Sequence, residues 1–259
     1  MPQKTEYAPG LPSWVDLATP DPAAAGTFYG QLFGWKAEPV AEDDSAGGYT
    51  MLTLDGRNVG ALAPLQAPGQ PPAWTTYVAT DDVDKTVEIA QSAGGTVLMA
   101  PMDVFTSGRM AIVADPAGAA IALWQAGDHH GADLVDEPGT FTWTELNSRD
   151  TAAAQRFYTE VFGWTAETSS MGDMEYTEYK LGDTSVAGMM AINPHMPANI
   201  PSYWMPYFAV TDPDKTAREA VALGATSMVE PQDFPGGRFS ILTDPQGATF
   251  GVLKLTPKS

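Results

Sequence analysis

Hydrophobic and polar positions run through the chain in one order, twice. In Ser13–Trp35, SWVDLATPDPAAAGTFYGQLFGW, alternation puts Trp14, Asp16 and Ala18 on one face and Val15 and Leu17 on the other, the two-residue period of a strand. Asp21 then stands at an N-cap position with Pro22 at the first helical residue, where its missing N–H costs nothing. Ala25, Phe28, Tyr29 and Leu32 follow at the i, i+3, i+4, i+7 spacing of an amphipathic helix, and Gly34 supplies a left-handed stop. The same order returns in Thr142–Trp164, TWTELNSRDTAAAQRFYTEVFGW. There Trp143, Glu145 and Asn147 share a face, Asp150 caps, Ala154, Phe157, Tyr158 and Val161 form the stripe, and Gly163 ends it. The chain is a duplication.

Between these stretches the pattern predicts further strands. Trp35–Val40, Tyr49–Leu54 and Arg57–Ala63 alternate, with a loop at Ala41–Gly48 and a two-residue hairpin at Asp55-Gly56. The proline-bearing Pro64–Pro72 is a connector. Trp74–Thr80 opens a second strand–helix unit, with its helix at Asp82–Ala93 and closing strands at Thr96–Ala100, Met110–Ala114 and Ala119–Trp124. The second half repeats this with strands Met174–Leu181, Ser185–Met190, Tyr203–Val210, Ala225–Val229, Phe239–Thr243 and Thr249–Leu253 and a helix at Asp212–Leu223. Four βαβββ modules result. The expected division is an irregular N-terminus at 1–11, a first domain at 12–127, a linker at 128–138 and a second domain at 139–259.

Composition narrows the partners. Thirteen basic against 32 acidic side chains give a net charge of −19, which repels phosphate backbones and anionic lipid. No nucleic-acid or membrane partner is expected, and a small-molecule ligand is. The absence of cysteine removes disulfides, thiolate catalysis and cysteine-held metals. The opening MPQKTEYAPGLPS has no apolar signal core and no later segment approaches a membrane span, so a cytoplasmic protein is expected. A tandem chain supplies its own pairing, which leaves monomer or homodimer as the expected state.

Two motifs recur in each half: D-x6-FY-x4-FGW after the opening strand, and DP-x-GA before the last. They are Asp21, Phe28, Tyr29, Phe33, Gly34, Trp35 with Asp115, Pro116, Gly118, Ala119, and Asp150, Phe157, Tyr158, Phe162, Gly163, Trp164 with Asp244, Pro245, Gly247, Ala248. On these residues the chain resembles the vicinal oxygen chelate superfamily, which includes glyoxalase I, extradiol dioxygenases and bleomycin-resistance proteins. It is similar to tandem actinobacterial members labelled glyoxalase-like or hydroxylase. The resemblance implies an α+β fold: a tandem duplication whose four βαβββ modules form cup-shaped mixed sheets with helices outside. It also implies a divalent metal on the cup floor, held from particular strand positions. Those positions are Trp14, Thr75 and Ala122 in the first half and Trp143, Met205 and Gly251 in the second, none of them a usual ligand. His129 and His130 fall in the linker and His195 in a connector, where they read as solvated. No metal and no other cofactor is therefore expected.

Alternation from the same positions turns Trp14, Asp16, Thr75, Tyr77, Ala122 and Trp124 inward in one half, and Trp143, Glu145, Met205, Tyr207, Gly251 and Leu253 in the other. Aromatic walls with one carboxylate per half suit a small apolar or aromatic ligand, for sequestration, resistance or sensing. Trp14, Tyr77, Trp124, Trp143, Met205 and Tyr207 are the candidate lining. Asp16 and Glu145 are the candidate catalytic groups, since a carboxylate beside tryptophan has a raised pKa and serves as a general base. Arg109 and Arg238, each opening a strand, are candidate anchors for a ligand carboxylate, but pairing with Asp103 or Asp233 to order the loop is the reading preferred over that. Two rival readings remain: a metal-dependent lyase or dioxygenase/hydroxylase, and a structural protein whose cups are filled by their own side chains.

Overall fold

The computed structural model describes residues 4–41, 46–171, 174–197 and 199–256. In the first half β1 (Pro12–Thr19), α1 (Pro22–Phe33), β2 (Lys36–Pro39), β3 (Thr50–Leu54) and β4 (Arg57–Pro64) make one module. β5 (Ala73–Ala79), α2 (Val83–Ser92), β6 (Thr96–Val104), β7 (Gly108–Ala114) and β8 (Ala120–Ala126) make the next. The second half repeats them as β9 (Phe141–Ser148), α3 (Thr151–Phe162), β10 (Thr165–Met171), β11 (Met174–Leu181) and β12 (Thr184–Ala191). Its last module is β13 (Tyr203–Ala209), α4 (Pro213–Ala222), β14 (Thr226–Phe234), β15 (Gly237–Thr243) and β16 (Thr249–Leu255). Part of the expected loop at Ala41–Gly48 lies outside the described residues, as do the first three residues of the expected irregular N-terminus.

Local chemistry starts and stops the helices as the pattern predicts. The Asp21 and Asp150 carboxylates accept the Ala24 and Ala153 backbone N–H groups. Gly34 and Gly163 close α1 and α3 in the left-handed region, at φ 79° and 68°. β10 is not among the expected strands, and two others run well past their expected ends. β6 and β14 run on through Pro101 and Pro231 to Val104 and Phe234. Both are end strands of their sheets, and the ladder shifts register between Met99 and Met102 and between Val229 and Gln232. A proline missing its N–H is tolerated at such an edge irregularity.

Each half closes its own eight-stranded sheet, in the orders β2-β3-β4-β1-β5-β8-β7-β6 and β10-β11-β12-β9-β13-β16-β15-β14. The central pairs β1/β5 and β9/β13 are antiparallel, while β1/β4, β5/β8, β12/β9 and β13/β16 are parallel. Both sheets are therefore mixed, and each cup is built within one half.

The helices lie on the outer faces, and there the halves lock together. One core joins Phe28, Tyr29 and Trp35 of the first half to Phe208, Phe250 and Val252 of the second. The other joins Val83, Ile121 and Leu123 to Phe157, Tyr158 and Trp164. Tyr29 donates to the Asp244 carboxylate at 3.0 Å, and Tyr158 to that of Asp115 at 3.2 Å. Trp35 donates its indole N–H to the Gly139 carbonyl and Trp164 to that of Gly10, at 2.7 and 2.8 Å. The recurring motif residues thus form a reciprocal clasp. Each aspartate also accepts the backbone N–H groups of its own DP-x-GA turn, so turn and clasp share one side chain.

Candidate functional site

Strand register builds both cup floors. On β1 and β5, Trp14 lies opposite Tyr77 and Asp16 opposite Thr75, and Tyr77 neighbours Ala122 on β8. On β9 and β13, Trp143 lies opposite Tyr207 and Glu145 opposite Met205, and Tyr207 neighbours Gly251 on β16. Trp14, Tyr77, Ala122 and Trp124 gather in one cluster; Met205, Tyr207 and Leu253, with Trp143 against them, gather in another.

At the centre of cup 1 the buried Asp16 carboxylate accepts from Tyr77 at 2.7 Å and from Tyr49 at 3.2 Å. Trp14 Nε1 donates to the same Tyr49 oxygen at 3.1 Å. Cup 2 repeats the motif: Tyr207 donates to Glu145 at 3.0 Å, and Trp143 Nε1 to Tyr176 at 3.1 Å. Burial pushes the Asp16 carboxyl up to about 6, against the opposing hydrogen bonds of Tyr77, Tyr49 and Thr75. Glu145 is raised for the same reason, opposed by Tyr207, Tyr176 and Asn147. The phenols of Tyr49, Tyr77 and Tyr207 are themselves raised by burial and by the adjacent carboxylate, so they remain donors. Burial thus favours the protonated form of the carboxyl group on each cup floor.

Tyr49 and Tyr176 escape the sequence reading. They come from the residue before β3 and from β11, outside the central strands on which the inward face was read, and loops of unequal length shift one relative to the other within the repeat. His129, read as solvated, is packed instead. Its ring meets the Trp14 ring edge-on at a centroid distance of 4.5 Å and lies 5.8 Å from Trp124. Burial draws its pKa down to about 4, leaving it neutral at pH 7. Nothing in a polar linker announces this, because the contact depends on how that linker crosses the sheet. His130 Nε2 stands 3.2 Å from an Asp133 carboxylate oxygen, outside hydrogen-bond geometry. His195 is exposed in its connector.

Of the two expectations for Arg109 and Arg238, the structure has the pairing with Asp103 and Asp233, and the ligand-anchor reading is corrected. The arginines alternate with Met110 and Ile112, and with Phe239 and Ile241, which face the cups, so the guanidinium groups point to the helix side. Arg109 is engaged by Asp84 of α2 at 2.7 Å and Asp103 at 2.8 Å; Arg238 by Asp214 of α4 at 2.6 Å and Asp233 at 2.9 Å. They tie strand to helix. A surface groove of about 220 Å³ beside α3, lined by Thr151, Gln155, Thr168, Glu175, Thr177 and Met189, is likewise on the helix side and apart from the carboxylates.

The ligand positions implied by the resemblance do not fit a divalent ion. Indole N–H is a donor only and here already donates, while Ala122 and Gly251 bring no side-chain donor atom. Thr75 and Met205 leave one hydroxyl and one thioether, far short of a coordination shell. Among the described residues no three His, Asp or Glu side chains converge. Among the described residues, too, no helix is long and apolar enough to cross a membrane.

A family model described as Glyoxalase/Bleomycin resistance protein/Dioxygenase superfamily matches residues 12–123 and again 140–252. The chain is 45% identical over 263 residues to "Putative glyoxylase CFP32" of Mycobacterium tuberculosis, covering 100% of both chains. It is 42% identical over 265 residues to "Anthracycline biosynthesis protein DnrV" of Streptomyces peucetius, covering 97% of this chain and 95% of that one. Among solved structures, the Mn(II)-bound glyoxalase from Novosphingobium aromaticivorans matches with a TM-score of 0.66 at 18% identity, over 95% of this chain and 82% of that one. The 2,3-dioxygenase LapB from Pseudomonas sp. KL28 matches with 0.68 at 14% identity, over 96% and 93%. At such identities these two structures speak for the fold alone. With the family model matched twice and the βαβββ modules repeated in order, the chain belongs to the glyoxalase/bleomycin resistance protein/dioxygenase superfamily, as a tandem duplication of its domain.

Proposed function

We propose that this protein binds a small, planar aromatic molecule in an aromatic-lined cup, without a metal ion. The observation that carries this is the floor itself. Where the resemblance places ligands for an ion, the side chains are indole, hydroxyl, methyl, thioether and hydrogen, and a carboxylate is clamped by tyrosine beside them. Without an ion, recognition falls to ring stacking and to hydrogen bonds at Asp16 or Glu145. The anthracycline biosynthesis relative supports a fused-ring ligand, and sequestration or sensing would need no chemistry beyond binding.

Elemental analysis of the purified protein, with calorimetric titration of fused-ring aromatics before and after a chelator, tests the proposal. Metal-free protein that binds equally in both states is the expected result. One tightly held divalent ion per cup, needed for turnover, rejects it.

A second reading rests on the Asp16 carboxyl, raised to about 6 by burial, and on the relative named a glyoxylase. A base poised near neutrality would serve metal-independent proton transfer on a bound ligand. Exchange of ligand protons with deuterated solvent, abolished by Asp16→Asn or Glu145→Gln while the ligand still binds, would favour this reading over simple binding.

A further inference from the structure

We propose that the two cups have divided their roles: the chain's own His129 occupies cup 1, and cup 2 takes a neutral, planar aromatic molecule bearing a hydroxyl and a carbonyl oxygen. This rests on the binding reading above and names its site.

The linker straps cup 1 over Trp14. After β8 the chain turns back, and the Trp124 indole N–H donates to the His129 carbonyl at 2.8 Å. Ala132 N–H then donates to the Ser13 carbonyl, and Asp133 N–H to that of Asn58, both at 2.8 Å. The Asp133 carboxylate accepts the Asn58 N–H, and Tyr7 donates to the Ala132 carbonyl at 2.7 Å. Gly131 lets the strap lie this close: its φ is +123°, and a Cβ there would stand 2.5 Å from the Ser13 oxygen. Ala132 and Val135 join the cup-1 cluster, and Trp14 is left 3% exposed. The edge-on imidazole takes the place on Trp14 that a flat ligand would need.

Cup 2 has no such cover among the described residues. Every apolar side chain of its cluster comes from its own strands, Trp143 stays half-buried, and no linker ring meets it as His129 meets Trp14. The floor is also lower. Gly188 and Gly251 stand where cup 1 has Ala61 and Ala122, opposite the carboxylate and the inner tyrosine. A Cβ at either glycine would run into the Tyr176 or the Tyr207 ring, so both rings rest directly on the sheet. Glutamate in place of aspartate brings the carboxylate to them.

The polar groups define the ligand. Glu145 is an acceptor with capacity beyond its phenol partners, and so suits a hydroxyl. Asn147, the next inward residue on β9, biases that carboxyl toward ionisation, yet its buried amide nitrogen meets no acceptor in hydrogen-bonding geometry. A carbonyl oxygen would satisfy it. Cup 1 has Ala18 at the corresponding place, opposite Ala73 as Asn147 is opposite Tyr203. The net charge of −19 disfavours an anion, and a neutral ring leaves the Glu145 carboxylate as acceptor.

Isothermal titration with juglone, a neutral hydroxynaphthoquinone, tests the division on the full chain, which has no cysteine for the quinone to alkylate. The expected result is one equivalent bound, a Kd weakened at least tenfold by Trp143→Phe and by Asn147→Leu, and a Kd unchanged by Trp14→Phe. Plain naphthoquinone, lacking the hydroxyl, should bind more weakly. His129→Ser should raise the stoichiometry to two; if that variant does not fold, the two tryptophan variants decide. Two equivalents on the unaltered chain, or a Kd sensitive to Trp14 and not to Trp143, would overturn the division while leaving aromatic binding intact. No heat with juglone for any variant would remove both.

Discussion

Cup 1 and cup 2 share a carboxylate, two phenols and an indole, yet they are assembled differently. Cup 1 pairs a short aspartate with an alanine floor and is covered by the linker; cup 2 pairs a longer glutamate with a glycine floor and is bare among the described residues. The clasp between halves, by contrast, is nearly identical on both sides: Tyr29 to Asp244 and Tyr158 to Asp115, Trp35 to Gly139 and Trp164 to Gly10. The difference is physical. A change in either half of the clasp strands a buried hydroxyl or indole in the other half, whereas a change in one cup leaves its twin untouched. Duplicated walls are free to diverge where duplicated joints are not.

The largest break in the comparison comes from removing each indole. Trp14→Ala should cost about 4 kcal/mol of stability, the usual scale for a fully enclosed tryptophan, and Trp143→Ala about half that because its ring is partly in water already. Urea unfolding reads both, and equal costs would mean that the cups are equally packed.

The carboxylates sharpen it next. The Asp16 pKa is about 6 in the folded chain against an ordinary 3.8, so the folded state binds the extra proton between those values. Its contribution to stability therefore falls as pH rises from about 4 to about 6, and stays low above that. Asp16→Asn should be more stable than the parent at pH 7, by up to about 3 kcal/mol, with no advantage below pH 4. Thermal melts across that range check the sign.

Gly131→Ala should loosen the strap at a cost of about 2 kcal/mol, through its left-handed φ and the crowded Ser13 carbonyl. It should also increase quenching of tryptophan fluorescence by acrylamide. Gly163→Ala, left-handed too but with nothing within 4 Å of the added carbon, should cost about half as much and leave quenching alone. Smallest is the pair Tyr49→Phe and Tyr176→Phe. Each removes the acceptor of an indole N–H, at about 1 kcal/mol. The Tyr49 change should cost more, since the indole it serves, Trp14, is buried where Trp143 is only partly so.

Much of this molecule is legible along the chain, and the boundary of legibility has a cause. Strands, caps, helix stripes and the glycine stops are local, set by periods of two and 3.6 residues and by side chains that bond their own backbone. From them follow the duplication, the four modules and the placing of Trp14, Asp16 and Tyr77 on one face, and of Trp143, Glu145 and Tyr207 on another. The proline-crossed extensions of β6 and β14 did not follow, because only an edge position excuses them. Asp103 and Asp233 were readable as partners of Arg109 and Arg238, but Asp84 and Asp214 were not, because they sit on helices earlier in the chain.

What tertiary structure alone decided is which distant pieces meet. It paired the modules within each half, turned the family motifs into contacts between halves, brought Tyr49 and Tyr176 to the carboxylates and laid His129 on Trp14. Sequence determines how a segment folds on itself because neighbouring atoms carry the information. Whether a linker histidine lies in water or against an indole depends on the closure of a sheet whose strands are far apart in the chain, and no local period encodes that.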